Sequence, residues 1–360
     1  MIYHLFYPLT KHFFIFNLTK YITFRSGCAF ITSFLIVMLL WKYIIKKLKR
    51  LKITEKVDMY GHVRLEALYE EKNGTPTMGG ILVLFAIFSA TLIWARWDNY
   101  FIWLVLVVTL LLGSLGLYDD FLKIKRGKGL SRSKKLLWQS LIGILLGVVV
   151  AFSKNFDTTW SFPFFKKLIV DIGYFYIFWA ALMVVATSNA VNFTDGLDGL
   201  AIGALISNAL IFGFLSYIVG HMKFASYLLI PYIRGTGELT IFCFSLIGAG
   251  LAFLWYNSYP AEVFMGDVGA LALGGAIGTI ALLIKQEFLL FISGGLFVIE
   301  ALSVILQMLS VKFRGKKLFK AAPLHHHFQV KGWKEPKIII RFWIISIVCA
   351  VLSLLTLKIR

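Results

Sequence analysis

The sequence predicts an all-α polytopic membrane protein of about ten transmembrane helices. Both termini are expected outside the cytoplasm, with a site for chemistry facing the cytoplasm. Three observations predict this. Apolar runs of about 18 residues or more recur along the chain, and that is the length a helix needs to cross a bilayer. Charged residues make up 15% of the sequence and hydrophobic residues 59%, whereas soluble domains carry roughly 25% charged residues. Finally, 24 of the 37 lysines and arginines fall in the segments 46–77, 120–136 and 312–341, which share one side of the membrane once ten spans are drawn. The alternating ten-residue pattern of a transmembrane barrel does not occur.

The first residues, 1–25, are apolar and aromatic but interrupted by Lys11 and Lys20. They lack a basic leader and a small-residue cleavage site, so an interfacial helix leading into the first span is expected. Spans are expected at 26–45, 78–95, 101–122, 136–152, 168–188, 199–219, 239–256, 268–285, 288–311 and 338–357. The chain then forms one integral membrane domain, 1–360, with cytoplasmic loops at 46–77, 120–136, 186–199, 257–268 and 312–337. The opposite loops carry only Arg96, Lys154, Lys166, Lys167, Lys223, Arg234 and Lys285. The positive-inside rule places the basic loops in the cytoplasm. Much of the net charge of +19 is therefore topological, and no nucleic-acid partner is expected. An anionic substrate or anionic membrane lipid at the cytoplasmic face fits the same distribution. Cys28, Cys243 and Cys349 match no metal spacing and are read as packing residues. No phosphate-loop or dinucleotide-binding fingerprint occurs.

Carboxylates are costly in a bilayer, so acids at span ends need a reason. In "YDDFLK", Asp119 and Asp120 close the third span, and Lys123 can share their helical face. Adjacent carboxylates repel and favour a cation or a shared proton. In "NAVNFTDGLDGLA", Asn189, Asn192, Asp195 and Asp198 recur every three residues and would wind as one polar stripe if helical. Gly196 and Gly199 suit turn and capping chemistry equally well. In "FMGDVGAL", Asp267 stands just before the eighth span, where it is also an ordinary N-cap. Asn257, Glu262 and Phe264 share its loop, which has no basic residue. Carboxylates from separate loops facing lysines suit Mg²⁺ and a phosphorylated substrate, because Mg²⁺ takes hard oxygen ligands and shares its shell with phosphate.

"NGTPTMGG" opens the second span, with Thr75 as cap, Pro76 in the first position and Lys72 just before. Lys134 and Lys135 precede the fourth span, where the helix N-terminus favours an anion. Glu300 and Gln307 share a face of the ninth span. Glu300 reads as an interhelical hydrogen-bonding group, whereas Gln307 reads equally as such a group or as a substrate contact.

Together "TPTMGG", "YDDFLK", "NAVNFTDGLDGLA", "FMGDVGAL" and "APLHHHFQVKGWKEPK" resemble the polyprenyl-phosphate N-acetylhexosamine-1-phosphate transferase family. The likeness runs over essentially the whole chain, and the histidine run resembles its muramoyl-pentapeptide branch. The resemblance implies transfer of phospho-N-acetylmuramoyl-pentapeptide from UDP-N-acetylmuramoyl-pentapeptide to undecaprenyl phosphate. The products would be lipid I, the first lipid-linked peptidoglycan precursor, and UMP. It also implies Mg²⁺, a broken ninth helix, periplasmic termini, a homodimer and a bacterial inner-membrane location. Carried onto this sequence, it makes Asp267 the first choice of metal ligand, with Asp119, Asp120 and Asp195 near it. Asp119 or Asp120 is the alternative proton acceptor. Lys72, Lys123 and Lys135 are expected to hold phosphates. Asn192, Asp195, Asn257 and Phe264 are expected to line the nucleotide pocket, with Asp198 and Gln307 among the substrate contacts. His325 and His326 are expected to face substrate as donors, and His327 to pack inward or contact substrate. Three rival readings are a UDP-N-acetylglucosamine-1-phosphate transferase, an intramembrane prenyltransferase and a lipid transporter. The histidine run, the Lys at the third acid position of "DDFLK" and the one-sided polar clusters disfavour them in turn.

Overall fold

A computed structural model describes residues 1–11, 13–50, 53–54, 72, 74–153, 156–165 and 168–357, with 10 and 11 described by backbone alone. Most of the 46–77 loop, together with Lys154, Lys166 and Lys167, lies outside the described residues. The chain is predominantly helical. The N-terminal segment is a short helix α1 (Ile2–Phe6) and two 3-10 stretches, Tyr7–Lys11 and Phe14–Lys20, in place of one interfacial helix. Then follow α2 (Ile22–Arg50), α3 (Gly80–Trp94), α4 (Tyr100–Arg126), α5 (Arg132–Ala151), α6 (Phe175–Thr194) and α7 (Leu200–Val219). The second half holds α8 (Met222–Leu228), α9 (Leu239–Asn257), α10 (Gly266–Leu283), α11 (Glu287–Ser293), α12 (Gly295–Arg314), α13 (Leu324–Val330) and α14 (Glu335–Thr356).

Among the described residues nine helices are long and apolar enough to cross a membrane. The expected tenth, α3, is apolar but has 15 residues, about 22 Å at 1.5 Å per residue, against a hydrocarbon core of about 30 Å. It starts at Gly80, later than Thr75–Pro76 signalled, because the preceding segment is held extended by another loop. Phe264 N donates to Pro76 O (2.8 Å), while Gly79 N and Gly80 N donate to Phe264 O and Met265 O (both 2.9 Å). The first N–H groups of a helix lack intrahelical acceptors; here carbonyls of the 258–265 loop take Gly79 N and Gly80 N, and Met78 O and Gly79 O take the next three.

Two other spans differ from expectation. The segment beginning at 168 opens with a two-stranded antiparallel hairpin, Thr159–Ser161 against Ile169–Asp171, so α6 starts at Phe175 and runs on to Thr194. Asn189 and Asn192 are therefore helical, while Asp195 caps the helix and Asp198 lies beyond it, which cuts the expected polar stripe in two. The ninth span is broken at Gly294 into α11 and α12.

The centre of the molecule is α10, whose apolar window is 94% buried. It packs against α4 and α6. Small residues allow this. A Cβ on Gly116 of α4 would lie 2.3 Å from the Asp267 carbonyl oxygen, and one on Gly80 of α3 would lie 2.5 Å from Gly269. By contrast, the apolar windows of α2 and α12 are only 22% buried, as suits helices whose outer faces meet lipid.

Candidate active site

At the end of the bundle where α4 stops and α10 starts, four helices deliver polar side chains to one point. α4 runs past its apolar stretch to Arg126, which puts Asp119, Asp120 and Lys123 on its last two turns. Acids there oppose the helix dipole, so partners must hold them. Lys123 Nζ lies 3.1 Å from Asp119 Oδ2, 3.2 Å from Asp120 Oδ1 and 2.9 Å from Asp267 Oδ2. α10 supplies Asp267 in its first turn. Gly266 before it has φ +74°, and a Cβ there would stand 2.7 Å from Asp120 Oδ2, so both conformation and space call for glycine. Asp120 Oδ2 accepts from Val268 N at 3.2 Å, which ties α4 to the start of α10. Asp119 Oδ1 accepts from Leu130 N, folding the 127–131 turn back over the site.

α5 contributes Lys135, whose ammonium pairs with Asp267 Oδ2 and lies 3.6 Å from Asp119 Oδ2. α6 contributes Asn192. With its amide turned to satisfy both neighbours, its nitrogen donates to Asp267 Oδ1 (2.9 Å) and its oxygen accepts from Lys135 Nζ (3.3 Å). Asp119, Asp120 and Asp267 are all buried, and each offers a carboxylate oxygen within 4.8 Å of the others. The donor set is all oxygen, which fits a hard divalent cation such as Mg²⁺. Counted as fully ionised, three carboxylates face two ammoniums, which leaves one negative charge for a bound cation.

A cleft of about 420 Å³ is lined by Lys72, Asp198, Tyr259, Gln329, Trp333 and Glu335, among others. Lys72 Nζ binds Asp198 Oδ1 (2.7 Å) and Glu335 Oε1 (2.6 Å). Asp198 Oδ2 accepts from Ala261 N at 3.0 Å. The segment from Asn192 to Gly199 joins the two places. Asn192 reaches the aspartates, Gly196 packs against His325, and Asp198 enters the cleft. Asn257 fixes this segment, accepting from Gly199 N (3.0 Å) and donating to Val263 O (2.7 Å).

The structure thus brings Asp119, Asp120, Asp267, Lys123, Lys135 and Asn192 together, and places Lys72 and Asp198 in the cleft. Asp195 is not among the three clustered carboxylates. Asn257 spends both ends of its amide on the backbone, and half-buried Phe264 pairs its backbone with Pro76 and Gly79. Gln307 holds a loop instead, accepting from Leu318 N and Phe319 N and donating to Phe319 O.

The histidines, expected in a loop, form the helix α13. His325 and His326 are 0% and 2% exposed. His325 Nδ1 lies 3.2 Å from Glu300 Oε2, and His326 Nδ1 lies 2.8 Å from Gln329 Oε1. Burial, with His325 and Lys72 nearby, holds the His326 imidazole well below its ordinary value, so it stays neutral. His327 Nδ1 accepts from Lys320 N at 3.1 Å, a loop-holding contact. Glu335 and the Glu300–His325 link escaped the sequence reading as site features. Glu335 lies inside "GWKEPK" and precedes a Pro at a helix start, a signal easily taken for capping alone.

A family model described as glycosyl transferase family 4 matches residues 102–285, and the chain belongs to that family. Ahead of that stretch, residues 72–84 match signature 1 of phospho-N-acetylmuramoyl-pentapeptide-transferase. Curated proteins of that name are similar over the full length of both chains. The identity is 49% for those of Citrifermentans bemidjiense and Geobacter sp., and 46% for that of Aquifex aeolicus.

Proposed function

We propose that this protein transfers phospho-N-acetylmuramoyl-pentapeptide from its UDP carrier to undecaprenyl phosphate in the bacterial cytoplasmic membrane, giving lipid I and UMP with Mg²⁺ as cofactor. The observation that carries the proposal is the convergence of Asp119, Asp120 and Asp267 with Lys123, Lys135 and Asn192 from four helices. The names of the full-length relatives support the same reading.

Two phosphate anions must meet for this reaction, so neutralising their charge is the main task. Asp119, Asp120 and Asp267 are the residues that would hold Mg²⁺, which when bound supplies Lewis-acid neutralisation of the pyrophosphate. Lys123 and Lys135 bind phosphate oxygens as point charges. Asn192 keeps Asp267 in register by hydrogen bonding. Alternatively, Asp119 or Asp120, left out of the metal shell, takes the proton of the lipid phosphate as its oxygen attacks the sugar-linked phosphorus and the bond to UMP breaks. The cleft at Lys72 and Asp198 receives the UDP carrier beside the aspartates.

Adding UDP-N-acetylmuramoyl-pentapeptide, Mg²⁺ and undecaprenyl phosphate to the purified protein should release UMP. Release with UDP-N-acetylglucosamine alone would point to the sister activity, and no release with either would refute the proposal.

A further inference from the structure

Glu300 is an acid inside a membrane helix, with a side chain that is 0% exposed. Such a group calls for an explanation. It sits on α12, after the break in the ninth span, and faces the start of α13. Its carboxylate accepts from Leu324 N (Oε2, 2.8 Å) and His325 N (Oε1, 3.2 Å), and Oε2 also meets the His325 ring at Nδ1, 3.2 Å away. An ionised carboxylate only accepts, so pairing with it places the proton on Nδ1. In the neutral ring that leaves Nε2 as the bare nitrogen. It too is buried and has no hydrogen-bond partner among the described residues. It points at Gly196, where a Cβ would stand 2.3 Å from it. Gly196 lies in the turn between Asn192 at the aspartates and Asp198 in the cleft.

A histidine kept only for packing has no reason to bury an unmet acceptor against a glycine. We infer that Glu300 is a positioning residue for the transfer reaction: it fixes the His325 ring with Nδ1 protonated and Nε2 presented, as an acceptor, to the turn that joins the aspartate cluster to the cleft. The inference rests on the reading of that region as the site of transfer. The arrangement follows the general pattern in which an outer carboxylate sets the tautomer and orientation of a working histidine.

The test uses the full-length protein in detergent with lipid. Glu300→Gln replaces one acceptor oxygen by an NH₂ donor of the same shape. Its amide can donate to Nδ1, so the ring proton should move to Nε2. Ring-¹⁵N chemical shifts, with His325 assigned by difference against His325→Gln among the seven histidines, read this without any turnover. The wild type should show a protonated Nδ1, and the variant the reverse. Turnover should fall by roughly 10–100-fold in Glu300→Gln, mostly in kcat with KM little changed, and Glu300→Asp should recover part of it. On the His325→Gln background, Glu300→Gln should cost nothing more, because residues acting as a unit are not additive. A normal kcat in Glu300→Gln, losses that multiply in the double variant, or a wild-type Nδ1 without a proton would each overturn the inference. Should Glu300→Gln fail to fold, Glu300→Asp and the wild-type spectrum decide the same question. A protonated wild-type Nδ1 in a protein that releases no UMP would support the tautomer and refute the transfer reading instead.

Discussion

Charge is buried at both ends of this molecule, to different effect. At the end opposite the aspartates, Arg25 on α2 meets Glu238 in a closed fork, with Nη1–Oε2 at 2.7 Å and Nη2–Oε1 at 2.6 Å. Arg96 N donates to the same carboxylate at 3.1 Å, and Arg25 Nη1 also donates to Trp94 O at 3.2 Å. One cation meets one anion there, and two backbone groups add hydrogen bonds, while buried Arg25 Nε has no partner among the described residues. At the other end three carboxylates share two ammoniums, and the acids come from two helices and the lysines from two. By formal charge the fork is balanced, whereas the cluster, counted as fully ionised, is one positive charge short. Burying charge does not in itself make a site. An unbalanced cluster invites a further cation, and a balanced pair invites none.

The comparison can be broken first at the fork. Glu238→Gln strands the Arg25 charge and should destabilise the protein by about 3–5 kcal/mol, while Arg25→Met with Glu238→Leu should regain most of that. Apparent melting temperature measures this, and UMP release per folded molecule should stay near wild type in both. Next, Asp267→Asn should do the opposite at the cluster. Activity should fall by roughly 10²–10³-fold, the scale of losing one electrostatic stabiliser, with little change in melting temperature. Third, Gly116→Ala should push α4 away from the Asp267 carbonyl, at a cost of about 1–3 kcal/mol, and lower activity with it. Gly27→Ala on α2, where a Cβ would meet nothing within 4 Å, should leave both unaltered or slightly stabilise the helix.

A pH-dependent effect concerns His326. Its pKa is depressed in the folded state, so below its ordinary value of 6.5 the unfolded chain binds a proton that the folded one does not. Its contribution is constant above pH 6.5 and is lost as pH falls further, by at most about 1.4 kcal/mol per pH unit. Melting temperature of wild type minus His326→Gln between pH 7 and 5 isolates it. A flat difference would show that the ring is protonated without penalty.

Much of this was legible in the sequence, for a physical reason. Transmembrane helices must be apolar and about 20 residues long, so nine of the spans announce themselves. Acids that interrupt them are costly enough to mark Asp119, Asp120 and Asp267 at once. What stayed hidden depends on contacts between distant segments. α3 starts late because the segment before it pairs with the 258–265 loop, through Pro76 O, Gly79 N and Gly80 N. The polar stripe from Asn189 to Asp198 divides because α6 ends at Thr194, which sends Asn192 and Asp198 to different partners. The three histidines look alike in sequence, and their distinct roles appear only when Glu300, Gln329 and Lys320 pack against them.

The central claim is that the unbalanced aspartate–lysine end is where transfer occurs and where a divalent cation is held. UMP release from UDP-N-acetylmuramoyl-pentapeptide and undecaprenyl phosphate, followed as Mg²⁺ is titrated into wild type and Asp267→Asn, tests it most directly. The expected result is saturable activation in the wild type and a right-shifted, much weaker curve in the variant. Turnover that needs no divalent cation, or superimposable curves for the two proteins, would contradict it.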